Sequence, residues 1–254
     1  MKRILDYEIE PEEAAVWWLG QAGYVVRSRG VTAAIDPYLS DSVARIAPEF
    51  GRLYPPPIDP AELMVDVVVI THDHLDHLDP ETLGPYAHKD RTTFVAPRLA
   101  ARTLSGLGIP QTNIRRIDIG ERETVLDGVT VTGIYAVPTG PDALDTTGYL
   151  VELPNGRSVY HTSDTAYSEL LLRSAPHAET LLVCINGKWG NLNVHQAVEL
   201  ACAVKPTHAV PNHYDLMALN SENPRTFEFF MRQAAPEIGV RILDVMQPFV
   251  WPAQ

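Results

Sequence analysis

At 254 residues, 45% of them hydrophobic, the chain is long enough to bury a substantial core as one large domain or two small ones. Its 20 basic and 32 acidic side chains leave a formal charge of −12, which disfavours nucleic acid and anionic membranes as partners, because both attract Lys and Arg. The two cysteines, Cys184 in LLVCIN and Cys202 in ELACAV, lie in apolar runs without CxxC spacing and read as reduced core residues rather than a disulfide or metal pair.

The N-terminal stretch MKRILDYEIEPEE has no apolar h-region, and nowhere is there a run of about 18 apolar residues, so a cytoplasmic protein is expected. The first third is a series of short β-rich runs, AAVWWL, GYVVRS, VTAAID and VDVVVI, separated by turn signals such as Gly20, Gly23, Gly30 and Pro37. Val65–Ile70 is almost wholly apolar and predicts a strand covered on both faces. Pro48 to Pro60 is too proline-rich for helix or central strand and predicts a surface loop of about a dozen residues, a length that often carries function. A helix is expected at Pro97–Leu107, then strands at Thr124–Val125, Val129–Tyr135, Gly148–Leu153 and Ser158–Tyr160, the last two joined by the hairpin Pro154-Asn155-Gly156. A buried strand at Leu181–Ile185, a helix at Val194–Ala203, a strand at His208–Pro211 and a helix at Pro224–Ala235 follow. Strand meanders in both halves, each followed by helices, suit two sheets packed face to face with helices outside, in one domain over residues 1–254.

The chemistry concentrates in Ile70-Thr71-His72-Asp73-His74-Leu75-Asp76-His77-Leu78-Asp79, where three histidines and three aspartates follow directly on a buried strand. Alternating His72 and His74 can point the same way from an extended backbone, while Asp76 and His77 can turn towards a second position nearby. Imidazole and carboxylate together suit borderline divalent ions such as Zn, Mn or Fe. A polar loop with chance histidines is the bland alternative, but such a density of carboxylates is costly to hold together without a cation.

The pattern His72-x-His74-x-Asp76-His77 resembles the HxHxDH signature of the metallo-β-lactamase superfamily. That resemblance implies an α/β fold, a four-layer αββα sandwich with metal at one edge of its two sheets. It also implies that Asp164, in Tyr160-His161-Thr162-Ser163-Asp164-Thr165, bridges two ions and that His213, in PNHYD, completes the second position. Asp36, ending VTAAID, matches an early aspartate that supports the ligand loop. The stretches WLGQAGYVV, DPYLSDS, THDHLDHLDP, YHTSDTAYS, PNHYD and PFVWP, recurring in that order, resemble the branch typified by L-ascorbate-6-phosphate lactonase. The expected metal ligands are therefore His72, His74, Asp76, His77, Asp164 and His213, with Asp76 and His161 as catalytic candidates.

The sequence departs from the family pattern where most members place a further histidine ligand. Here Tyr135 to Asp145 contains none, leaving Asp142 or Asp145 as oxygen substitutes and predicting one firmly held ion and one weaker position, Mn or Zn in either case. Ser163 stands where glycine is common. His161 reads as a ligand, an orienting donor or a proton shuttle, or simply as a hydrogen-bonded strand-end histidine. Asn186–Asn191 reads either as a substrate lid or as an ordinary loop before a helix capped by Asn193, and Arg225 as an exposed helix-start residue or an anion contact. His88, His177, His195 and His208 carry no motif support. The resemblance implies attack by metal-activated hydroxide on a lactone or ester carbonyl, with a phosphorylated sugar acid among the substrates. Phosphodiester hydrolysis and a metal-binding protein with little activity are the competing readings. No G-x-S-x-G elbow supports serine chemistry. The expected partner is a small molecule, anionic ones included, with a homo-oligomer compatible.

Overall fold

Strands form where apolar residues alternate between two buried faces. In β1 (Ala14–Gly20), Val16 and Trp18 enter one core cluster while Ala15, Trp17 and Leu19 enter another, the period of two that a strand imposes. The computed structural model describes residues 1–251, so Pro252 of the PFVWP stretch lies outside the described residues.

The first half continues with β2 (Gly23–Ser28), β3 (Val31–Ile35), β4 (Val67–Val69), β5 (Thr93–Ala96) and β6 (Ile114–Arg116). The second half contributes β7 (Arg122–Leu126), β8 (Val129–Tyr135), β9 (Thr147–Glu152), β10 (Ser158–His161), β11 (Thr180–Cys184), β12 (His208–Asn212) and β13 (Gly239–Val240). The last described strand, β14 (Pro248–Trp251), returns to pair with β1. Among the described residues this makes two sheets, ordered β14-β1-β2-β3-β4-β5-β6 and β13-β12-β11-β10-β9-β8-β7. Each sheet is antiparallel on one side and parallel on the other, β3 to β6 and β10 to β13 being the parallel sets.

Val26, Ile35 and Val69 of the first sheet meet Val131, Val151, Leu182 and Val210 of the second in the central core. The outer face of the first sheet is covered by Leu83 of α3 (Pro80–Leu83) and by Ala100 and Leu104 of α4 (Arg98–Gly106), with Ile4 of the short α1 (Lys2–Leu5). That of the second is covered by Leu171 of α5 (Glu169–Ser174), Val198 and Ala201 of α6 (Val194–Val204), and Phe227 and Met231 of α7 (Pro224–Ala234). α2 (Ser42–Ile46) instead leads to the site. The four layers are those of the expected αββα sandwich.

Several expectations change in detail. The proline-rich loop is shorter than a structureless dozen residues, because 3-10 turns form at Pro48–Phe50 and Pro60–Glu62 with Pro at their first positions. β5, β6, β13 and β14 lack a usable sequence signal, being two to four residues long or opened by a proline. The parallel strands β4, β10 and β12 all deliver their carboxyl ends to one edge of the sandwich, where ligands of parallel sheets are characteristically bound.

Candidate metal centre

Three loops leaving those strand ends build the centre. Thr71–His77 follows β4, Ser163–Asp164 follows β10, and His213 follows β12. The structure groups five of the six expected ligands, all but His74. His72, His77 and Asp164 form one group whose donor atoms lie within 4.8 Å of one another, and Asp76, His77 and His213 form a second. Asp164 Oδ1 is 3.4 Å from His77 Nε2 and 3.2 Å from His213 Nε2, and Asp76 Oδ2 is 3.9 Å from His77 Nε2. Ligand atoms bound at about 2.0–2.3 Å to one ion lie on the order of 3.0–3.7 Å apart, so this spacing fits a shared cation. His74 differs from the expected arrangement. Its Nδ1 touches His72 Nε2 at 3.0 Å, but His77, not His74, completes the group around His72.

The donor set fits a divalent ion on a second ground. His74 Nε2, His77 Nε2, Asp164 Oδ1 and His213 Nε2 are buried without a hydrogen-bond partner. Buried polar atoms are ordinarily satisfied, so the three of these that belong to the ligand groups, on His77, Asp164 and His213, call for a ligand. With Asp36, Asp76 and Asp164 buried or nearly so, and no Lys or Arg lining the adjoining cleft among the described residues, a cation is the missing compensation.

The rings are held in the tautomer a metal needs. Asp36 accepts from the Thr71 backbone N–H at 2.8 Å, from Thr71 Oγ1 at 2.7 Å and from His77 Nδ1 at 2.7 Å. Because Thr71 spends its single proton on this carboxylate, His72 Nδ1, 3.0 Å from Thr71 Oγ1, must be the donor there. Asn212 Oδ1 similarly accepts from His213 Nδ1 at 2.9 Å. All three imidazoles are left with Nε2 lone pairs facing inward. Gln21 Nε2 donates to Asp76 Oδ2 at 3.2 Å and Asn191 Nδ2 to Asp164 Oδ2 at 2.8 Å, steadying the carboxylates. Gln21 is fully buried at a positive φ of 54°. No spacing rule singles it out; the hints are its place in the tight turn between two strands and in the WLGQAGYVV stretch.

Electrostatics follow burial. Desolvation presses the His72 imidazole well below its ordinary pKa, aided by His77. His77 is also desolvated, yet the carboxylates of Asp164, Asp76 and Asp36 outweigh that and raise it well above. Burial works against the Asp164 charge, but His213 and His77 overcome it and hold the carboxyl well below its usual range.

Other expected residues resolve as follows. His161, a catalytic candidate by sequence, lies outside the two ligand groups. Its Nε2 donates to the Ala22 carbonyl at 3.0 Å and its Nδ1 accepts from the Ser163 N–H at 3.0 Å, so both ring nitrogens are committed to backbone. Ser163 has φ 62°, which explains why glycine suits this position. Its hydroxyl contacts Thr146 Oγ1 at 2.7 Å and His72 Nδ1 at 3.3 Å, giving the serine a bracing role. Of the two oxygen substitutes, Asp145 accepts from the Leu99 N–H at 2.5 Å at the start of α4, away from the ligands. Asp142 Oδ2 lies 3.4 Å from His74 Nε2 and lines the cleft. Arg225 pairs with Glu228 on α7, while His195 packs on Phe230 and His208 on Phe249, all outside the two ligand groups. Cys184 and Cys202 are free thiols.

The model of the beta-lactamase superfamily domain matches residues 33–214, well over half of the chain. A UPF0173 metal-dependent hydrolase of Thermoplasma acidophilum is 27% identical over 225 residues, covering 85% of this chain and 90% of that protein. Igni18, a metallo hydrolase from Ignicoccus hospitalis, shares the fold with TM-score 0.75 at 20% identity, over 95% of this chain and all of that one. An isothiocyanate hydrolase from Delia radicum gut bacteria does so with TM-score 0.75 at 18% identity, over 94% and 100%. With its signature, its ligand cluster and its two sheets accounted for by one family description, the chain belongs to the metallo-β-lactamase superfamily.

Proposed function

We propose that this protein is a metal-dependent hydrolase acting on a lactone or ester carbonyl. The observation that carries the reading is the convergence of five imidazole and carboxylate side chains on a place where three buried atoms, His77 Nε2, Asp164 Oδ1 and His213 Nε2, have no hydrogen-bond partner. A divalent cation held there would lower the pKa of bound water towards neutrality and would stabilise the oxygen that gains charge. His72, His77, Asp164, Asp76 and His213 would hold it, with His74 at the rim.

The chain's own groups supply the rest. Asp76 lines the cleft and is steadied by Gln21, which places it to take the proton of the attacking water. Asp142 approaches His74 and is the one carboxylate positioned to replace the absent histidine. Burial pushes the Cys184 thiol up to about 12, which keeps it from competing as a nucleophile. Among the described residues the cleft lining offers no Lys or Arg to a phosphate or a phosphodiester, which favours the carbonyl over the phosphoryl reading.

The test is turnover by protein reconstituted with Mn or Zn. The panel holds neutral aryl esters, γ-lactones and bis(nitrophenyl)phosphate, with an aryl isothiocyanate added because a protein of the same fold hydrolyses that class. Ester or lactone turnover that falls by roughly 10²–10⁴-fold in Asp76→Asn, with unchanged circular dichroism, is the expected result. Phosphodiester turnover alone overturns the carbonyl assignment, and stoichiometric metal with silence on every substrate favours binding without catalysis.

A further inference from the structure

The cleft beside the centre, about 330 Å³ in volume, has two unlike walls. One is the ligand side, with His74, Asp76 and Asp164. The other is apolar, with Val43, Ala47, Phe50, Trp189 and Met217. We propose that Trp189, with Phe50 beside it, is the specificity wall that holds the apolar, non-reacting part of an uncharged substrate. The inference rests on the hydrolase reading above and names its substrate class as neutral aryl- or alkyl-bearing esters and lactones.

Trp189 is unusual among the four tryptophans. Trp17, Trp18 and Trp251 are 1%, 2% and 3% exposed, whereas Trp189 is 62% exposed. It also has a φ of 55°, a conformation bulky side chains rarely adopt. Folding alone gains little from an indole so exposed. The segment around it is nevertheless fixed on several sides. The Gly187 N–H donates to the Leu192 carbonyl at 2.9 Å, Lys188 Nζ to the Ser221 carbonyl at 2.8 Å, and Asn191 Nδ2 to Asp164 Oδ2 at 2.8 Å. Gly190 lies so close to Thr139 that a Cβ would come within 2.4 Å of its carbonyl oxygen. The indole is therefore presented, tied to the same loop that steadies a metal ligand. Phe50, at the end of the 3-10 turn after α2, meets it with ring centroids 5.5 Å apart and planes at 58°.

Charge points the same way. The cleft lining is rich in carboxylates, Asp76, Asp142 and Asp164, and contains no Lys or Arg among the described residues. Of two cations on flanking segments, Lys188 donates to the Ser221 carbonyl, and Arg52 donates through Nη1 and Nε to the carbonyls of Tyr38 at 3.0 Å and Tyr54 at 3.2 Å; its Nη2 is buried without a partner, but Arg52 is not among the residues that line the cleft. An anionic substituent on the far side of the substrate finds no partner here, while an aryl or alkyl group finds two aromatic faces.

The test uses the full chain reconstituted with Mn, 4-nitrophenyl butanoate as neutral ester and 4-nitrophenyl hemiglutarate as its carboxylate counterpart. The neutral ester should be preferred by about tenfold or more in kcat/KM. Trp189→Ala should raise KM for it by roughly tenfold to a hundredfold with kcat within about threefold, and Trp189→Phe should recover most of the loss. A second arm needs no turnover: calorimetric titration of a neutral aryl γ-lactam into wild type and Trp189→Ala. Tighter lactam binding to wild type supports the wall even if no ester is hydrolysed, in which case only the hydrolase reading fails. Equal lactam affinity in the two proteins, or an unchanged KM in Trp189→Ala, overturns the proposal.

Discussion

Asp36 accepts three hydrogen bonds, at a φ of 44° that few non-glycine residues adopt. An amide in its place keeps one acceptor oxygen and adds donors, so it cannot serve Thr71 twice and His77 as well. Asp36→Asn should lower metal affinity by about 10–100-fold, read by competition against a chromogenic chelator, and an unchanged affinity would remove Asp36 from the orienting role. His161 makes a different prediction. Burial presses its pKa below the ordinary value, so it stays neutral in the fold, whereas the unfolded chain protonates it below about pH 6.5. The unfolded state then binds the extra proton, and stability present above that pH is lost as pH falls, by up to about 1.4 kcal/mol per unit. His161→Gln should flatten that slope between pH 6.5 and 5.5 in urea unfolding. It should also keep activity within about tenfold, where a proton shuttle would lose roughly 10²–10⁴-fold.

The elements divide sharply into those legible in the sequence and those that are not. β1 to β4, β8 to β12, α4, α6 and α7 are announced by apolar periodicity or caps, such as the Asn193–Gln196 capping box of α6. β6 and β14 are not, because Ile114–Arg116 and Pro248–Trp251 become strands only through partners far along the chain, β5 and β1. The ligands were equally legible, because a contiguous motif carries four of the six. Gln21, Asn191 and Ser163 act across 27 to 91 residues of sequence, which no local pattern encodes. The loop bearing Asn191 offers a test of that long-range bracing. Gly190→Ala puts a methyl 2.4 Å from the Thr139 carbonyl oxygen, so the loop must move and Asn191 must release Asp164. Metal affinity should fall by about 10–100-fold. Gly156→Ala is the control, since it has a similar φ of 81° but open space around the new Cβ, and it should leave metal affinity unaltered.

In the molecule taken whole, the candidate ion would join the two halves at this edge. His72, His74, Asp76 and His77 hang from the first sheet, and Asp164 and His213 from the second. Protein contacts already bridge the same edge. The Thr147 N–H donates to the Thr71 carbonyl at 3.0 Å, and Trp18 of β1 stacks on Tyr214 beside His213 at 4.1 Å between centroids. A ligand that binds only when both sheets are in register stabilises the folded state by mass action, about 2.7 kcal/mol when its free concentration is a hundred times its dissociation constant. For a domain of this size each kcal/mol moves the melting temperature by roughly 2–4 °C. Chelation should therefore lower the Tm by about 5–10 °C relative to metal-loaded protein, and re-addition of Mn or Zn should restore it. His213→Ala, which removes the second sheet's imidazole, should shrink that metal-dependent difference well below the wild-type value. A chelator-insensitive Tm in protein shown to bind metal stoichiometrically would mean that the ion does not join the two sheets.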